Sequence, residues 1–242
     1  MLKSRLCIAF FAFAVGCAPA QKPLTDYVNP MLGTATLWDS VDLGFKPTKR
    51  TWGAEVFPGS SLPNAMVQVS PVTKFHSGAG YQYEDSVIYG FTHTNKGHWN
   101  LCHIPLLPVT GTPTPGDYCS PFSHERESAA PGYYQVFLDR YGVDAQLSST
   151  LRCAFHKYTY PAGAAASLLA DLQRSNEHVR AWDIRKEGDN VFAGWQQTGE
   201  KMYFYAVANR PVTGIEPVVE GDREVRIVRF GEGDGALELR IG

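Results

Sequence analysis

The stretch YYQVFLDRYGVDAQLS, residues 133–148, decides the fold. Tyr134, Val136 and Leu138 alternate with Gln135 and Asp139, and Val143, Ala145 and Leu147 alternate with Asp144, Gln146 and Ser148. A period of two sends successive side chains to opposite faces, so each run reads as a half-buried strand. Working outward, strand signals recur at 155–160, 167–170, 179–186, 191–197, 202–208, 225–230 and 236–241, with turns at 187–190 and 232–235. Upstream, 25–34 is expected as a short strand ending in a turn, 35–55 as a loop, and 65–70 as a strand after a turn at 57–59. No helical period is sustained beyond about ten residues, and there is no βαβ alternation. Many short strands separated by turn chemistry predict an all-β, antiparallel β-sandwich.

Composition agrees. Gly 23 and Pro 16 in 242 residues suit short strands and turns. The formal net charge is −2 and no basic stripe occurs, so nucleic acid is not an expected partner. The first residues, Met1 to Arg5, are a short cationic start, and 6–15 is an apolar run too short to span a bilayer as a helix. This is the pattern of a signal peptide, expected over 1–20, with cleavage after Ala18-Pro19-Ala20. The alternative is a lipoprotein signal over 1–16, with Ala14-Val15-Gly16-Cys17 as its box and a lipid anchor at Cys17. Either route exports the chain, to the periplasm, the outer membrane or the extracellular space of a bacterium. Cys102, Cys119 and Cys153 then remain, so one disulfide at most is expected. Neither C-x-x-C nor H-E-x-x-H spacing is present, and no metal ligands or cofactor are expected in this chain.

Residues 80–111, GYQYEDSVIYGFTHTNKGHWNLCHIPLLPVTG, carry the densest binding chemistry. His93, His98 and His103 lie close to Trp99, Asn95 and Asn100. Aromatic rings beside amides and imidazoles suit a neutral, hydroxyl-rich ligand such as a sugar. The competing reading is a surface loop whose aromatics pack on its own sheet.

Four ordered blocks give the chain a family resemblance. The first is Tyr27-Val28-Asn29-Pro30-Met31-Leu32-Gly33-Thr34. The second is Phe57-Pro58-Gly59-Ser60-Ser61-Leu62-Pro63 followed by Met66-Val67-Gln68-Val69-Ser70-Pro71. Gly80-Tyr81-Gln82-Tyr83 with Gly90-Phe91-Thr92-His93-Thr94 forms the third, and Phe122-Ser123-His124-Glu125 with Pro131-Gly132-Tyr133-Tyr134 the fourth. In this order they resemble the N-terminal domain of glycoside hydrolase family 92, bacterial calcium-dependent exo-α-mannosidases. The sequence departs from the family pattern at Pro63-Asn64-Ala65 and over Asn95-Lys96-Gly97-His98-Trp99-Asn100, where specificity is expected to differ.

The resemblance implies a galactose-mutarotase-like supersandwich over 25–242. It also implies a larger (α/α)6 domain that carries the general acid, the general base and most of the calcium environment. Inverting hydrolysis needs two carboxylates about 6.5–9.5 Å apart, and on this reading they lie in a missing C-terminal catalytic domain. No catalytic residue is therefore assigned to the chain. The expected partner is a mannose-containing glycan, and calcium belongs to the full-length enzyme. Trp52, Glu55, His93, Asn95, His98 and Trp99 are the expected glycan contacts. Two other readings stay open: a freestanding carbohydrate-binding sandwich, and a non-functional truncated remnant.

Overall fold

The computed structural model describes residues 22–36, 54–96, 99–233 and 235–242. The expected signal segment, Cys17, Trp52 and His98 lie outside the described residues.

Two antiparallel sheets form the body. The larger runs β13 (Ala181–Gly188), β14 (Val191–Gln197), β15 (Lys201–Ala208), β18 (Leu237–Ile241), β11 (Ala154–Thr159), β10 (Val143–Ser149), β9 (Tyr133–Leu138) and β8 (Glu127–Ala130). The smaller runs β1 (Ser70–Val72), β3 (Gly90–Thr92), β6 (Leu106–Val109), β12 (Ser167–Ala170), β17 (Arg223–Phe230) and β16 (Val212–Glu220). Two short pairs flank them: β2 (Val87–Ile88) with β7 (Ser120–Pro121), and β4 (Asn95–Lys96) with β5 (Trp99–Asn100).

The stretch that decides the fold is β9 and β10, with Tyr134 opposite Leu147 and Val136 opposite Ala145. Their inward residues join one core with Leu168 and Ile227 of the facing sheet. Burial of such side chains is worth roughly 1.5–3 kcal/mol each. In β6, Leu106 and Leu107 point to opposite faces and both are buried. The smaller sheet is thus covered on both sides, as an uninterrupted apolar run requires.

Two expectations are corrected, and one strand is added. Residues 25–34 are not a strand. A 3₁₀ helix over Leu24–Tyr27 leads into a turn, where Asn29 Oδ1 accepts the Met31 N–H at 3.0 Å; Asn-Pro initiates turns for this reason. The strand expected over 65–70 begins only at Ser70, because Asn64 is left-handed (φ 59) and the Met66 N–H leaves to the Leu151 carbonyl. Strand β16, which holds Gly214 and Pro217, is not among the expected strands. It lies at a sheet edge and carries an irregularity between Val212 and Gly214, which is where such residues are tolerated.

Glu127 turns inward, although Glu125 and Arg126 beside it are exposed. Its side chain is 2% exposed. It accepts the hydroxyls of Tyr81 (2.9 Å) and Tyr134 (2.6 Å) and contacts His124 Nδ1 at 2.6 Å. All three cysteines of the described residues are free thiols.

Candidate functional site

Two stretches within 80–111 reach the surface, one around Tyr83 and one at the pair of β4 and β5. Phe91, His93 and most of 102–109 are buried, whereas Trp99 is 55% exposed. Much of the polar aromatic segment is therefore sheet covering, with Tyr83 and Trp99 turned to the surface.

Beyond Trp99 the chain is tightly held. Cys102 and Ile104 both have φ 54, a conformation costly for residues bearing a Cβ, above all a β-branched one. Hydrogen bonds fix it. Asn100 Oδ1 accepts the Cys102 N–H at 2.7 Å, buried Gln196 accepts the Ile104 N–H at 2.9 Å, and the Ile104 carbonyl accepts from His93 Nδ1 at 2.9 Å. Gly80 packs against Asn100 at φ +75, and a Cβ there would meet Asn100 Nδ2 at 2.7 Å.

Trp99 faces a concavity of about 540 Å³ that it shares with Lys96, Ser77 and Leu101. This adjoins a larger one of about 830 Å³, floored partly by Trp182 and Arg223. His76, Asn176 and Glu177 line both and join them into one groove. Asn176 sews the groove together: Oδ1 accepts the His76 N–H at 2.6 Å, and Nδ2 donates to the carbonyls of Ser77 (3.1 Å) and Asn100 (2.6 Å).

Glu177 supplies the charge. Thr198 donates to its Oε2 at 2.7 Å, and His103 Nε2 does so at 3.0 Å. The Thr198 hydrogen bond, with help from His103, holds the carboxyl below its usual range. Burial keeps His103 itself below the ordinary imidazole value, so a neutral ring makes this contact as a hydrogen bond. The result is an oriented, ionised carboxylate at a groove wall beside an exposed indole. Such a wall accepts hydroxyl hydrogens while the ring covers a C–H face.

The expected contacts divide. Trp99 lines the groove, and Asn95 shares its hairpin, in register with Asn100. Both side-chain amide atoms of Asn95 are buried with no hydrogen-bond partner, a state that calls for a water or ligand. His93 lies in the core, with both ring nitrogens engaged by Ile104 and His156. Glu55 borders a different hollow of about 410 Å³, with Pro30, Phe57 and Pro131. Asn176, Glu177 and Trp182 went unforeseen; they sit in a connection and an edge strand that carry no motif. Among the described residues no three His, Cys, Asp or Glu side chains are placed to hold a metal ion.

Residues 27–239 match the family model described as glycosyl hydrolase family 92 N-terminal domain. The chain belongs to glycoside hydrolase family 92. Solved structures agree with this assignment. The family GH92 α-mannosidase BT3965 from Bacteroides thetaiotaomicron superposes with a TM-score of 0.77 at 25% identity, over 92% of this chain and 33% of that one. The family GH92 glycosyl hydrolase ccman5 gives 0.63 at 25% identity, over 76% and 30%. The inverting mannosidase BT2199 from the same Bacteroides species shares the fold, at 0.72 and 21% identity over 92% and 32%. BT3965 has also been solved in complex with mannoimidazole. The family 92 domain thus spans about a third of the length of these solved relatives. A search of curated proteins finds no match.

Proposed function

We propose that this family 92 domain forms one wall of a glycan pocket in an exported α-mannosidase and binds mannose-containing glycans without hydrolysing them alone. The juxtaposition of exposed Trp99 with the fixed Glu177 carboxylate along one groove carries the reading. The family resemblance assigns the acid and base carboxylates and the calcium environment to a second domain, so no step here runs through calcium.

An apolar seam supports work in concert with another body rather than a freestanding module. Tyr27, Val28, Leu32, Val56, Leu62, Met66 and Leu151 are all exposed. Some are neighbours in space: Val56 lies against Gly33, next to Leu32, and the Met66 N–H bonds the Leu151 carbonyl at 2.8 Å. Exposed apolar area of this kind marks interaction sites. Export rests on the cationic start and apolar run of residues 1–20.

Saturation-transfer NMR with methyl α-mannoside tests the groove. The intact domain should give transfer that Trp99→Ala and Glu177→Gln each weaken about fivefold or more. No transfer to the intact domain would refute binding. Separately, α-mannobiose incubated with the domain and calcium should release no mannose, and clear turnover would sink the non-catalytic half of the reading.

A further inference from the structure

A second aromatic surface lies on the outer face of the larger sheet, built from different strands than the groove hairpin. Trp195 stands opposite Tyr203, and Ala193 opposite Tyr205, across β14 and β15. On the next strand Asp183 pairs with Trp195 and Arg185 with Ala193. Two parallel rows result: Asp183, Trp195, Tyr203, and Arg185, Ala193, Tyr205. Adjacent strands are about 4.8 Å apart and alternate residues about 6.8 Å apart, so the rows span one to two pyranose rings.

The rings face solvent. Tyr203 is 67% exposed and Tyr205 53%. The small Ala193 between Arg185 and Tyr205 leaves a hollow of about 440 Å³, also bordered by Glu187. Lys201 Nζ sits 3.9 Å from the Trp195 ring centroid and 5.8 Å from that of Tyr203, a flexible cation at one end of the rows that a stacked ring would displace. The tyrosine backbone is firm: Tyr205 exchanges hydrogen bonds with Gly242 at 2.8 and 3.0 Å while its other edge pairs with β14.

We propose that Tyr203 and Tyr205 form a second carbohydrate-contact site, a stacking platform for a polysaccharide chain outside the groove. Each row ends in a charged group, Asp183 or Arg185, and Arg185 is oriented by Glu187 at 2.7 Å. Arg185 also pairs with Asp183 at 3.6 Å, which fixes both row ends. Planar rings flanked by oriented charged donors and acceptors match a neutral chain with C–H faces and hydroxyl edges.

Native gel electrophoresis through soluble α-mannan tests this, comparing the intact domain with Trp99→Ala and with Tyr203→Leu/Tyr205→Leu. The leucine pair keeps apolar cover and removes the rings, and unchanged thermal melting verifies the fold; Tyr203→Ser/Tyr205→Ser serves if leucine causes association. The tyrosine variant should lose about fivefold in retardation. Retardation equal to that of the intact domain would overturn the platform, whatever Trp99→Ala does. Loss in the tyrosine variant with none in Trp99→Ala would support the platform and refute the groove. An intact domain that migrates freely would overturn the platform.

Discussion

His93 and His156 meet inside the sandwich with their Nε2 atoms 3.1 Å apart. The arrangement fixes every proton. The Ile104 carbonyl only accepts, so His93 Nδ1 carries hydrogen and its Nε2 accepts from His156 Nε2–H. His156 Nδ1 in turn accepts the Tyr158 hydroxyl at 2.5 Å. An extra proton on His93 would set its Nε2–H against that of His156, and one on His156 would place a charge in a dry core. Burial accordingly lowers His93 from 6.5 to about 4 and His156 well below its ordinary value.

Stability should therefore fall with acid. Between about pH 6.5 and 4 the unfolded chain binds protons the folded pair refuses, so unfolding becomes easier as pH drops. For His93 alone the loss is about 3 kcal/mol across that window, and His103 acts in the same direction. Urea midpoints measured from pH 7.5 to 5.5 should decline, less steeply in His156→Gln. A flat profile in the unmodified domain would exclude the neutral pair.

Gln196→Leu should destabilise by about 3 kcal/mol without altering the sheets. The amide is buried and fully used: it accepts the Ile104 N–H and donates to the carbonyls of Leu172 (3.0 Å) and Arg174 (2.9 Å). Its loss strands three backbone groups and frees the left-handed turn at Ile104. A lowered melting temperature with faster amide exchange at Ile104 is the expected signature. An unchanged melting temperature would show that the turn is held by packing.

Sheet order was not legible in the sequence, but strand identity largely was. Strands β9 and β10 fall where apolar alternation put them, because side-chain burial sets that period locally. The pairing of β18 between β15 and β11 depends on contacts far apart in the chain, which no local pattern encodes. The site was half legible. Trp99 stood out as an aromatic within a polar hairpin, whereas Glu177 gains its meaning only from Thr198 and His103, brought beside it by folding. His93 shows the converse: its type suggested a ligand contact, and its register buried it.

Glu127→Ala should cost about 3–5 kcal/mol, as expected for breaking a buried charged cluster. The Tyr81 and Tyr134 hydroxyls would be left in the interior without their acceptor, and burial with the Glu127 charge nearby already raises both phenols. Conversion of Glu125, an exposed neighbour, should change stability by less than about 0.5 kcal/mol. Paired chemical denaturation curves compare them, and equal midpoints for the two variants would reject a structural role for Glu127.

Removal of residues 237–242 should abolish folding. Strand β18 lies inside the larger sheet, paired with β11 from Ala154 to Tyr158 and with β15 from Ala206 to Ala208. Leu237, Leu239 and Ile241 are essentially fully buried, and together they contribute roughly 5–9 kcal/mol of apolar burial. That rivals the whole stability of an ordinary domain, about 5–15 kcal/mol. Deletion also opens two new sheet edges, which favours aggregation. Leu239→Ala, which removes one side chain and keeps the strand, should still fold with a loss of about 2–5 kcal/mol. The deletion variant should lack near-UV circular dichroism and dispersed amide signals. If it retained both, β18 would be an accessory to the sandwich, and the two halves of the larger sheet would have to be stable without the strand that joins them.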